Sequence, residues 1–203
     1  MTQQLSDLVQ TIVADDRLHA KWLNTLSMME NTGARKISRY EHPVKTNITV
    51  LKHAAEEARH AYYLKKQIAK LQETDCPDYT FSYLLAPVTS YQYLLRLDAF
   101  ACRYLRSKGF AAERINDIAY LLVTYAIEVR ADELYEVYQN ALTEAGSKVN
   151  VKSIIMEEAG HLEEMTRMLN ELDTDWQPLA DDVCAFEKEL YTSWIQAVGK
   201  ELA

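Results

Sequence analysis

A chain of 203 residues, 48% of them hydrophobic, has room for one sizeable core, and a net charge of −8 gives it no general attraction for phosphate backbones. Five glycines and four prolines leave few breaks, which favours long helices over a sandwich of short strands. No stretch reaches the roughly 18 apolar residues of a membrane span, and the three scattered cysteines form no C-x-x-C pair, which excludes a zinc ribbon and a rubredoxin-like iron site.

Cys76, Cys102 and Cys184 make an odd count, and the first residues carry no basic n-region, so the expected compartment is cytoplasmic. A first helix is predicted from about Ser6 to Arg39, with Leu8, Ile12, Leu23, Leu26 and Ile37 at helical spacing. EHPVKTN (41–47) reads as a turn because Pro43 cannot continue a helix. A second helix is predicted from about Ile48 to Leu71, and QETDCPDYT (72–80) as a loop. TSYQYLLRLDAFACRYLRSK (89–108) reads as a helix stopped by Gly109. Further helices are expected at about Asn116 to Leu142, Val151 to Leu172 and Leu179 to Val198, with TEAGSKVN (143–150) as a turn. No linker or low-complexity segment divides the chain, so residues 1–203 read as a single domain.

The chemistry lies in two E-x-x-H motifs, Glu57-Ala-Arg-His60 and Glu158-Ala-Gly-His161. Residues three apart on a helix share a face, so each motif aims a carboxylate and an imidazole at one point. Each also sits on an apolar stripe: Val50, Ala61 and Leu64 flank Glu57, whereas Ile154, Met165 and Leu169 flank Glu158. A lone buried carboxylate costs several kcal/mol unless something compensates it, and a metal ion does so. Glu30, among Leu23, Leu26 and Ile37, and Glu128, inside IAYLLVTYAIEV (118–129), are placed in the same way.

Glu30 and Glu57 stand nearly equidistant from Pro43, which puts them at one depth in a hairpin. The second pair is less even, and on depth Glu133 competes with Glu128. Glu133 lies in the charged run RADELYE (130–136), so Glu128 is preferred. His53, one turn before Glu57, is a candidate to support the ligands or to join them, and Tyr125, one turn before Glu128, to hydrogen-bond a ligand or relay an electron, although a packed core role is simpler for both. Glu56 and Glu157 are expected to point outward into solvent. Four Glu and two His without a thiolate suit iron or manganese rather than structural zinc.

One Glu, then E-x-x-H, then a second Glu and a second E-x-x-H, over roughly Leu18 to Leu169, resembles the ferritin-like di-iron carboxylate superfamily. That group includes ferritins, rubrerythrins, ribonucleotide reductase small subunits, bacterial multicomponent monooxygenases, tRNA hydroxylases of the MiaE type and aldehyde-deformylating oxygenases. The resemblance implies an all-α fold, a ferritin-like four-helix bundle with additional helices. It implies Glu30, Glu57, His60, Glu128, Glu158 and His161 as metal ligands, with two iron ions as cofactor and manganese or a mixed pair as variants.

The expected function is a di-iron oxidoreductase that activates O2 to oxidise a small, apolar substrate, with an external electron donor. Its entrance is expected on the side away from the histidines, lined by residues such as Leu26, Ala34, Ala61, Leu121 and Tyr125. The alternatives are iron handling of the ferritin or rubrerythrin kind, a metal kept for stability alone, and tRNA hydroxylation, which the charge of −8 disfavours. No membrane or nucleic-acid partner is expected, and a homodimer is compatible with the sequence.

Overall fold

The computed structural model describes residues 2–42, 44–72 and 75–202. Among these residues there are seven α-helices and no strand: α1 (Thr2–Val13), α2 (Asp16–Tyr40), α3 (Ile48–Gln67), α4 (Pro87–Ser107), α5 (Ala112–Glu144), α6 (Lys152–Asn170) and α7 (Gln177–Leu202). Two hairpins, α2–α3 and α5–α6, carry the motifs. Helix α1 packs on α5 and α2, while α4 and α7 pack on each other and on α5. Among the described residues no helix is long and apolar enough to cross a membrane.

The predicted first helix is in fact two, with the break at Ala14–Asp15. Asp15 is extended, and its side chain accepts from the Arg17 and Leu18 amides at 2.8 and 3.0 Å, a cap that starts α2 afresh. Asp16 in the next position adds a favourable charge at the helix N-terminus. The break lets Leu5, Val9 and Ile12 turn onto the core, where each is almost fully buried. The expected turn residue Pro43 lies outside the described residues. Nearby, Asn47 caps α3 by accepting from Thr49 and Val50, and the Val44 and Lys45 amides donate to His42 Nδ1.

Helix α4 ends at Gly109 as expected. The glycine adopts φ +84°, and the Phe110 amide returns to the Leu105 carbonyl at 3.2 Å. Before it, the segment 75–86 is held on α2 and α3. Asn24 donates to the Asp78 and Tyr83 carbonyls, and Lys65 donates to that of Cys76.

The uneven second hairpin has a specific cause. Helix α5 runs to Glu144, but the Val151 amide donates to the Gln139 side chain at 2.8 Å. Helix α6 therefore begins level with Gln139, not with the end of α5. The intervening chain packs back along the hairpin with Val149 and Val151 buried.

Candidate metal centre

The hairpins bring the six predicted ligands together in the core. Two groups of potential ligand atoms form, each mutually within 4.8 Å: His53, Glu57, Glu128 and His161, and Glu30, Glu57, His60 and Glu158. Glu57 belongs to both groups. His53 stands among the ligands rather than behind them. Its Nε2 lies 2.8 Å from Glu128 Oε1 and 3.3 Å from Glu57 Oε1, and its ring is fully buried. Glu133 is outside the group and pairs with Arg130.

The motif histidines are held from behind by the opposite helix. His60 Nε2, on α3, lies 2.7 Å from Glu157 on α6, and His161 Nε2, on α6, lies 2.9 Å from Glu56 on α3. These two glutamates are only 28% and 20% exposed, which corrects the expectation that they face solvent. Position 56 sits one step around the helix from Glu57. That step leads to water on an isolated helix, but here it leads to the neighbour that carries the other histidine. Arg59 also donates to Glu157, closing the cross-helix group.

With Nε2–H donated outward, each motif histidine turns Nδ1 inward. His161 Nδ1 then faces Glu57, Glu128 and Glu158 at 3.4, 3.5 and 3.3 Å. A lone pair aimed at three carboxylates is repulsive unless a proton or a cation lies between them. Burial opposes a charged His161 ring, but Glu128 and Glu158 outweigh it and push its pKa up to about 12. Burial, then Glu57 and Glu158, push Glu30 well above the usual carboxylate range. His60 Nδ1 and Glu128 Oε2 are buried without a hydrogen bond. Four carboxylates and three imidazoles in one dry site thus carry the chemistry of a cation site, and two divalent ions would balance the four negative charges.

Tyr125 does not support the ligands. Its ring packs edge-on against Trp176, with centroids 5.5 Å apart. Helix α5 is buried on nearly every side, so sharing a face with Glu128 did not fix which neighbour Tyr125 would meet. The phenol that does reach the site is Tyr135, which donates to Glu30. It escaped notice because it lies in the charged run that argued against Glu133.

A cavity of about 110 Å³ adjoins the carboxylates between α2, α4, α5 and α7. Glu30, Glu57 and Glu128 line it and none of the histidines does, so it meets the group on the side away from them. Most of its wall is apolar, including Leu26, Leu94, Ile127, Leu134 and Trp194. Leu26 is placed as expected, but Ala34, Ala61, Leu121 and Tyr125 are not part of the lining. Gly33 lines the cavity beside Glu57, and a β-carbon there would meet Glu57 Oε2 at 3.7 Å, an ordinary contact.

Compared with known families, curated proteins and solved structures, the chain matches no family model, no curated protein and no solved structure.

Proposed function

We propose that this chain is a ferritin-like di-iron oxidoreductase that uses O2 to oxidise a small, apolar substrate. The observation that carries the reading is the apolar cavity opening directly on the carboxylate side of a seven-residue donor set, six of whose members are buried. An oxygen-rich set completed by imidazole suits iron or manganese. Two ferrous ions bound there would supply electrons for the reduction of O2, and an external donor would restore them.

The residues divide the remaining tasks. Glu57 would bridge, and the other ligands would divide between the two groups. Glu56 and Glu157 fix the tautomer and orientation of the motif histidines. Tyr135 holds one Glu30 oxygen by donating to it. The cavity wall excludes water and selects an apolar group. Iron storage would give this cavity no task, and tRNA hydroxylation suits a net charge of −8 poorly.

The test is anaerobic loading with ferrous iron followed by rapid mixing with O2. The reading expects O2 to be consumed in proportion to bound iron. Ferrous protein inert to O2 would overturn it and leave a redox-silent metal as the better account.

A further inference from the structure

We propose that the cavity binds a small amphiphilic acid, its carboxylate held by Lys36 and its apolar body directed toward Glu30 and Glu57. That the acid is the substrate rests on the oxidase reading above; that it binds does not.

Two cations line the cavity, Lys36 and Arg130. Arg130 is already paired with two carboxylates. Its Nε and Nη2 donate to Glu187 at 3.0 and 2.9 Å, its Nη1 donates to Glu133, and its guanidinium lies 4.0 Å over the Tyr191 ring. Two carboxylates already balance its charge, so it offers an incoming anion little.

Lys36 differs. Among the described residues its one ion-pair partner is Asp98 on α4, at 2.7 Å, and the Asp98 side chain is 40% exposed while that of Lys36 is 21% exposed. The ammonium has three protons to donate, and one carboxylate at its outer side leaves donors for the cavity. The Lys36 Nζ is itself cut off from water and makes no well-directed hydrogen bond, so an anion arriving through the cavity would meet a largely desolvated charge. Lys36 lines the cavity together with the carboxylates Glu30, Glu57 and Glu128, whereas Asp98, more exposed than Lys36, lies outside the lining.

This polarity orients a ligand. An anionic head is repelled by the glutamates and can accept from the Lys36 protons that Asp98 leaves free, so it settles at Lys36, and an apolar body fills the rest of the cavity. Glu30 and Lys36 lie six residues apart on α2, which is about 9 Å along the axis. A medium-chain aliphatic or aryl carboxylic acid spans that distance. A neutral alcohol of the same length would fill the same apolar space without using Lys36.

The experiment compares octanoate with 1-octanol, using calorimetry on the protein as purified and again after zinc addition. Octanoate is expected to bind about tenfold more tightly than the alcohol, the ratio expected of one hydrogen bond to a charged group. Lys36→Met should abolish that preference while leaving octanol binding unchanged. Asp98→Asn, which frees Lys36 from its present partner, should tighten octanoate binding. A merely structural ion pair predicts the reverse pattern, in which both substitutions lower the melting temperature and neither changes the octanoate-to-octanol ratio. That outcome, or equal binding of the two probes by the parent protein, overturns the proposal. So does the absence of binding by either probe at millimolar concentration, and in that case the metal measurements still decide the oxidase reading. Conversely, failed metal uptake with an intact octanoate preference would sink the oxidase reading and leave the acid site standing.

Discussion

Removing metal should lower the melting temperature substantially. In the metal-free core, Glu30, Glu57, Glu128 and Glu158 face one another with only protons and three imidazoles to offset their charge. An ion that binds the folded chain alone stabilises it by about 2.7 kcal/mol at a hundredfold excess over its Kd, so two ions contribute about 5 kcal/mol. For a domain of this size each kcal/mol moves the midpoint by about 2–4 °C, which gives a shift of about 10–20 °C. The assay is a calorimetric melt at neutral pH with excess manganese, ferrous iron under argon, or a chelator. Glu57→Gln should remove most of the shift because Glu57 belongs to both donor groups, whereas Glu30→Gln, which touches one, should remove about half. The shift should shrink as pH falls, since metal must displace protons that the ligands hold. A melt unchanged by chelation, or equal responses in the two variants, would refute the reasoning.

Glu157→Ala should weaken metal binding about 10–100-fold by freeing His60, and Glu56→Ala should do the same through His161, both read by competition with a chelating dye. Arg130→Met alone should cost about 3–5 kcal/mol in urea unfolding, because it strands a buried Glu187, and adding Glu187→Leu should recover much of that loss. His19 is buried against Tyr138, and burial lowers its pKa from 6.5 to about 4 despite the opposing charge of Asp16. Folding therefore favours its neutral form, whose stabilisation is present above pH 6.5 and is lost as pH falls toward 4. The loss is about 3 kcal/mol and should be absent in His19→Phe, as measured by denaturant unfolding at pH 7 and pH 4.5.

Much of the arrangement was legible in the chain. The E-x-x-H pairs lie on apolar stripes, and a periodic stripe points to the core whatever the partner, so Glu57, His60, Glu158 and His161 could be placed before any neighbour was known. Glu30 followed from its stripe and its distance from the turn, and Glu128 from its apolar run. What failed depended on adjacency. Glu56 and Glu157 read as solvated because nothing in one helix says that another lies one step around its axis. Tyr125 was singled out and Tyr135 passed over because the middle of α5 is buried almost all round, which removes the contrast that marks a face. The break at Asp15 was readable from its capping chemistry, but the apolar spacing on either side continued through it and masked the signal. A cavity does lie on the side away from the histidines, yet its walls come mainly from α5 and α2 with α4 and α7 closing it, a packing that no local pattern announces.

The account rests on metal in this core, and diffraction from crystals grown with iron or manganese, recorded at the absorption edge of each, tests it most directly. The account predicts two anomalous peaks per chain, one among His53, Glu57, Glu128 and His161 and one among Glu30, Glu57, His60 and Glu158. A core without a peak, in crystals where metal is found only at exposed carboxylates, would contradict it.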